Sequence, residues 1–346
     1  MAPGSRPGRV RPIEVAADTK RNFIPMVKAN YAEMFPPYSI LYRQPTAQLA
    51  ISRRTLSTRP PAFHFVAEDP IMTAISYGAV DSHASESAGG PRIRVPFLCA
   101  ANERRPGGDW ETGCSVYEET LCRRSNLSAT LSTPWPSTGE TSNYPIPSTG
   151  GILSDCVVVC RGPHGRYERL ERWYDLPVVS VSPPRWPKLK ENGSMYSFSE
   201  ERDLMREKMR GALRICLYNN YDRVVIGDFG LGNNYRNPPR EVAEIWRDVF
   251  LFDPDLRGQF TYVIFAFEDP SQSTERSILD EIAKKDKRRG SAGRSRDGSS
   301  ASSSTSSSRC YAPTDMAIFQ HVFDPVEIQR VLSSPDPRYG LDMITS

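Results

Sequence analysis

Histidine is scarce in this chain of 346 residues: His64, His83, His164 and His321 lie far from one another and from any pair of cysteines. That spacing argues against a zinc site. The seven cysteines (Cys99, Cys114, Cys122, Cys156, Cys160, Cys216, Cys310) form no Cys-x-x-Cys. Cys156 and Cys160 bracket three valines in what reads as a buried strand, so the set reads as free thiols of a reducing compartment. An excess of one charge is missing too: 44 Lys+Arg face 41 Asp+Glu, a net +3. Such a balance does not call for a nucleic-acid backbone or an acidic membrane as partner. No apolar run approaches the roughly 20 residues of a membrane span, and the mean hydropathy is −0.49. Residues 1–12 are rich in Arg and Pro and lack the apolar stretch of a secretory signal, while an organelle-targeting reading stays open. The expectation is a soluble intracellular protein, cytoplasmic or nuclear or both, with no membrane and no direct nucleic-acid partner.

What is present suffices for a large core: 38% hydrophobic and 10% aromatic residues. Apolar strand-like runs at Phe63–Val66, Ile93–Leu98, Cys156–Cys160, Val178–Val181, Val224–Ile226 and Tyr262–Phe267 alternate with helical patterns. The helical patterns are Pro70–Tyr77, Ser115–Leu131, Ser199–Tyr218 and Pro238–Phe250, with an earlier helix near Ile13–Phe35. Short apolar strands interleaved with amphipathic helices predict an α/β fold, a three-layer α/β/α sandwich with a mixed, largely parallel central sheet and an N-terminal helical extension. Lys284–Arg296 carries seven basic residues and Ser295–Arg309 is mostly serine, so 286–310 reads as a disordered insertion. The expected organisation is a flexible 1–12, a domain over 13–285, that insertion, and 311–346 returning as a strand (Ala317–Phe323) and a helix (Val326–Leu332).

Two loops are rich in glycine. Pro106-Gly107-Gly108-Asp109-Trp110-Glu111-Thr112-Gly113 leads into a helix beginning Ser115-Val116-Tyr117-Glu118-Glu119. Glycines let backbone N–H groups approach a ligand, and a helix N-terminus favours negative charge there. Ser115 with Glu118 has the spacing of a capping box. Glu119 has two open readings, an ion pair with Arg123 one turn on and a catalytic carboxylate. The second loop, Gly227-Asp228-Phe229-Gly230-Leu231-Gly232-Asn233-Asn234-Tyr235-Arg236-Asn237-Pro238, lies between a strand and a helix. It lacks the Lys-Ser/Thr of a P-loop and comes too late for a Rossmann turn, but suits a diphosphate cradle.

Together these segments resemble the microbial-type poly(ADP-ribose) glycohydrolases, macrodomain-fold enzymes. Gly107-Gly108-Asp109 followed by Tyr117-Glu118-Glu119 stands where that family has Gly-Gly-Gly and Gln-Glu-Glu. Gly227–Gly232 before Asn237-Pro238-Pro239 stands where it has Gly-Ala-Trp-Gly-Cys-Gly before Asn-Pro-Pro. Ala16-Ala17-Asp18-Thr19, Gly151–Ser154 leading into Val157–Arg161, and Glu241-Val242-Ala243 extend the likeness over about 13–270. Asp109, Tyr117 and Leu231 depart from the pattern, and one extra residue separates Gly232 from Asn237.

The resemblance implies hydrolysis of ribose–ribose O-glycosidic bonds in poly(ADP-ribose) or protein-linked ADP-ribose. It implies Glu119 as both acid and base, and Glu118 holding ribose hydroxyls or capping the helix. Backbone amides of Gly107, Gly108, Gly230 and Gly232 would bind ribose and diphosphate, and Phe229 or Tyr235 would pack against a sugar or the adenine. Asp109, Gly227, Leu231 and Asn233 complete the implied ligand contacts, with no metal and no cofactor. Two alternatives stand beside it: a non-catalytic ADP-ribose-binding macrodomain, and a hydrolase of another ADP-ribose-derived nucleotide.

Overall fold

The computed structural model describes residues 10–52, 59–114, 116–190, 193–292 and 312–333. They form two compact units. The first comprises the described residues through Pro183 with Leu204–Phe229 and Asp248–Glu268; the second comprises Pro184–Asp203, Gly230–Arg247 and the described residues from Asp269 on.

The first unit holds a seven-stranded sheet: β1 (Ile40–Tyr42), β2 (Ala62–Val66), β3 (Phe97–Ala100), β4 (Gly151–Arg161), β5 (Arg169–Val181), β6 (Arg223–Ile226) and β7 (Tyr262–Ala266). Their order is β1-β4-β5-β3-β6-β7-β2. β3 lies parallel to β5 and β6, and β7 parallel to β6 and β2; β1–β4 and β4–β5 are antiparallel. The sheet is therefore mixed and mostly parallel, as expected.

The helices are α1 (Pro12–Asp18), α2 (Ile24–Asn30), α3 (Pro45–Gln48), α4 (Pro70–Ser87), α5 (Tyr117–Arg124), α6 (Leu127–Leu131), α7 (Ser199–Tyr218), α8 (Gly232–Tyr235), α9 (Pro239–Phe252), α10 (Thr274–Ala292), α11 (Asp315–Val322) and α12 (Pro325–Ser333). Side chains alternate across the fully buried strands. Phe97 and Cys99 of β3 join Val225 of β6 in one cluster with Ile71 and Ala74 of α4 and Leu121 and Cys122 of α5. On other elements of this unit, Phe63 of β2 meets Phe250 of α9 edge to face at 5.7 Å. A Cβ on Gly151 of β4 would lie 2.8 Å from Ile215 of α7. None of the helices among the described residues is long and apolar enough to cross a membrane.

Several elements differ from expectation. β1 was unforeseen; its three residues pair only at the sheet edge, with β4. β3 lies later than Ile93–Leu98, at Phe97–Ala100. The helix expected over Ser115–Leu131 breaks at Ser125, which is extended (φ −152°, ψ −177°) and bridges Val159. α10 runs to Ala292, into the stretch expected as an insertion, whose residues 293–310 lie outside those described. The strand expected at Ala317–Phe323 is instead α11, capped by the Thr314 side chain on the Ala317 N–H at 3.2 Å. Its buried residues Ile318, Phe319 and Val322, with Phe323 just after it, recur at helical spacing, which an apolar run alone conceals.

Candidate active site

At the carboxyl end of β3 the chain turns through Asn102. Its side-chain oxygen accepts the N–H groups of Arg104 (2.9 Å) and Arg105 (3.2 Å), an Asx-type turn that starts the first glycine loop. Gly107 and Gly108 follow at φ +71° and +54°, the left-handed region that favours glycine. A Cβ at Gly107 would come within 2.8 Å of the Cys122 sulfur, and one at Gly108 within 2.5 Å of Glu119 Oε1. Both glycines are therefore fixed by backbone angle and by space.

Glu118 is 1% exposed. Its Oε2 accepts the Asn102 N–H at 2.6 Å and its Oε1 the Gly107 N–H at 3.2 Å, so one carboxylate clamps both ends of the loop. The capping box expected between Ser115 and Glu118 turns on Ser115, which lies outside the described residues; α5 opens at Tyr117, with Val116 before it. Neighbouring helical residues diverge by about 100°, and Glu119 takes the adjacent direction. It is 6% exposed, with Oε1 3.5 Å from the Asp109 N–H.

Arg123, wholly buried, donates to the carbonyls of Trp110 (2.9 Å), Thr112 (2.8 Å) and Cys114 and to the Tyr167 hydroxyl (3.3 Å). Its guanidinium ties the rest of the loop to α5, a use the sequence reading did not anticipate. The Arg123 carbonyl accepts from Thr19 (2.7 Å), giving the N-terminal Ala16–Thr19 segment a structural role. Asp18 pairs with Arg161 and Arg169. Its carboxyl is held below the ordinary range chiefly by the Asn22 side chain and also by the two arginines. Asp109 pairs with Arg105 at the surface, its side chain 54% exposed.

Gly227–Phe229, the start of the second loop, follows β6 beside β3. Tyr117 fills the space there: its ring meets Phe97 edge to face at 6.3 Å, and a Cβ on Gly227 would lie 3.4 Å from it. Burial pushes its phenol pKa well above 10, with added repulsion from Asp228 and Glu268. Burial likewise raises the Cys99 and Cys122 thiols far above the ordinary range, Cys99 further through Glu118, Glu119 and Asp228, and Cys122 through Glu118, Cys99 and Glu119. Asn102 and Glu268 escaped the sequence reading, and Asp228 entered it only as a position of the second loop. Only Asn102 left a signal, an Asx-turn residue directly after a buried strand.

In the second unit, Gly232 (φ +71°) donates its N–H to the Thr274 hydroxyl at 2.7 Å. Thr274 in turn donates to the buried Asp315, from its hydroxyl at 2.6 Å and its N–H at 2.8 Å. The Gly232 amide expected to face a diphosphate is thus spent inside its own unit. Asn237 donates to the carbonyls of Gly230 (2.8 Å) and Pro184 (2.9 Å) and accepts from Tyr196 (2.9 Å), which fixes the loop. Leu231 and Tyr235 are buried, and Asn233 is exposed. Phe229 is buried in the first unit. Among the described residues no group of three or more His, Cys, Asp or Glu is placed to hold a metal ion.

The first unit is thus an α/β domain of macrodomain-like architecture, with two buried glutamates at the carboxyl end of its central strand. Residues 39–162, which include the first glycine loop and both glutamates, match the family model described as microbial-type PARG, catalytic domain. The chain is similar to the crystal structure of poly(ADP-ribose) glycohydrolase from Thermomonospora curvata, with a TM-score of 0.55 and 20% identity over 78% of this chain and 98% of that one. It is also similar to the same enzyme bound to the inhibitor ADP-HPD, with a TM-score of 0.53 and 19% identity over 79% and 98%. The Deinococcus radiodurans glycohydrolase with ADP-ribose gives a TM-score of 0.51 and 20% identity over 74% and 98%. At such identities these structures share the fold. No curated protein matches the chain.

Proposed function

We propose that the protein is a poly(ADP-ribose) glycohydrolase that uses Glu119 as its acid and base. The observation that carries this reading is the buried Glu119 carboxylate set against the Gly108–Asp109 backbone, on a helix whose preceding residue clamps that same loop. The match of residues 39–162 to the PARG catalytic domain supports it. So do the ADP-ribose and ADP-HPD named as ligands of the similar structures.

The bond between two riboses breaks through an oxocarbenium-like transition state. The protonated Glu119 gives its proton to the departing ribose oxygen; the resulting carboxylate then takes a proton from the water that bonds to the anomeric carbon. Glu118, with both oxygens on backbone N–H groups, acts as a positioning residue for the loop. Asp109 turns its charge to Arg105, which relieves the repulsion an aspartate would otherwise bring to a diphosphate site. The substrate is poly(ADP-ribose), including chains attached to modified proteins. The catalytic region spans 13–285, together with the C-terminal helices within 312–333. A cytoplasmic or nuclear setting suits the six described cysteines, all free thiols.

The test is incubation with automodified poly(ADP-ribosyl)ated protein alongside calorimetry with ADP-ribose. Release of ADP-ribose together with ADP-ribose binding is expected. Binding without release would leave only a binding module, and neither would end the proposal.

A further inference from the structure

The second unit contains a groove of about 1030 Å³ between the 186–198 segment and α10. That is at the upper end of small-ligand sites and large enough for a nucleotide. Its walls are unusual. Trp186 adopts φ +50°, a conformation that bulky side chains rarely adopt, and is 67% exposed. The ring is not loose: the Trp186 N–H donates to the Tyr235 carbonyl at 2.7 Å and the indole N–H to the Asn233 carbonyl at 3.2 Å. Arg236, on the same groove, is also left-handed at φ +58°, and its buried Nε has no hydrogen-bond partner. Strained residues of this kind persist where the surroundings hold them and cluster at binding sites.

Charge and shape select the occupant. Among the described lining residues, Lys188, Lys190, Lys285 and Arg236 face one carboxylate, Glu281, which lies 3.7 Å from Arg236. Phe198 is 48% exposed beneath the Lys188 ammonium, 5.5 Å from its ring centre. The floor is apolar: a Cβ on Gly193 would collide with Ile278 of α10 at 2.6 Å, so the chain at Gly193 is seated directly on that helix. An exposed ring held rigid beside clustered lysines suits a base that stacks and phosphates that pair. Three lysines and an arginine lining one groove with one exposed indole match two phosphates per base better than the single phosphate per base of RNA.

We propose that this groove is a second binding site for poly(ADP-ribose), taking a unit of the chain other than the one being cleaved. One adenine stacks on Trp186, and its diphosphate lies across Lys188, Lys190 and Lys285. The inference rests on the proposed glycohydrolase function for the identity of the polymer.

The experiment compares wild type, Trp186→Ala, Trp186→Phe and a Lys188→Ala/Lys190→Ala pair on size-fractionated polymer, long chains against chains of two or three units, with melting curves as a check on folding. Trp186→Ala is expected to raise KM on long chains about ten-fold, the scale of one lost base stack. Its kcat and its short-chain kinetics are expected to be unchanged, and Trp186→Phe to restore most of the affinity. The lysine pair is expected to raise long-chain KM and flatten its salt dependence. An unchanged long-chain KM in Trp186→Ala, or equal losses on short and long chains, overturns the proposal. Single-stranded RNA of equal charge displacing the polymer equally well would assign the groove to RNA and overturn it too. If wild type neither hydrolyses polymer nor binds ADP-ribose, the glycohydrolase reading falls. Anisotropy of labelled long polymer then decides the groove alone, Trp186-dependent binding supporting it and no binding overturning it.

Discussion

The two glycine loops solve the same backbone problem with different wiring. In each, a glycine at φ +71° turns its N–H to a buried acid: Gly107 directly to Glu118, and Gly232 through the Thr274 hydroxyl to Asp315. In the first loop the acid sits next to the candidate catalytic residue in the chain, so loop shape and chemistry are set by one helical turn. In the second the acid opens α11, at a separation of 41 residues from Thr274, and its task is to close the unit on itself. A perturbed first loop should therefore be read in turnover, and a perturbed second loop in stability.

Among changes to the loop backbone, the largest effect on the first side is expected from Gly108→Ala. Its Cβ would press on Glu119 Oε1 at 2.5 Å in a backbone conformation alanine resists. A misplacement near 1 Å costs on the order of 10²-fold in rate. Steady-state turnover should fall by that factor or more; near wild-type turnover would detach the loop from the chemistry.

On the second side, Asp315→Ala leaves the Thr274 hydroxyl, the Thr274 N–H and the Gln272 amide without their acceptor. A loss on the order of 3 kcal/mol in denaturant unfolding is expected. A loss below about 1 kcal/mol would show that the acid is not what holds the loop.

Lys208 offers a titration of similar size within the first unit. Its ammonium is buried and donates to the Ser148 carbonyl, and burial lowers its pKa from 10.5 to about 8. The folded pKa lies below the unfolded one, so between pH 8 and 10.5 the unfolded chain binds the extra proton and stability rises with pH. Relative to Lys208→Met, wild type should gain up to about 3 kcal/mol across that window. A gap independent of pH would refute the buried ammonium.

The smallest effect is expected from Glu118→Gln. Glutamine turns an N–H toward Asn102 or Gly107, so one backbone donor loses its acceptor, at a cost of about 1–2 kcal/mol. Under a pure capping box the change would be silent, because glutamine serves there as well. Thermal melting separates the two.

Much of this was legible in the sequence. The apolar runs of β3, β6 and β7 marked buried parallel strands, and the glycines before Tyr117-Glu118-Glu119 marked the loop and its helix. What escaped depends on contacts distant in sequence. Nothing local announces that Arg123 will serve the carbonyls of Trp110, Thr112 and Cys114, or that Asp315 will secure Gly232 through Thr274. The apolar run at Ala317–Phe323 fits strand and helix alike, and the Thr314 cap decides for the helix. Tyr117 looked like a departure from a family pattern, whereas it fills the space between Phe97 and Gly227.

The most direct measurement is turnover of poly(ADP-ribose) by Glu119→Gln beside its ADP-ribose affinity. The substitution keeps size and hydrogen bonding but cannot deliver or accept the proton. Turnover is expected to fall by a factor on the order of 10²–10⁴, with ADP-ribose binding retained. Turnover near wild type, or a greater loss from Glu118→Gln than from Glu119→Gln, would contradict the assignment.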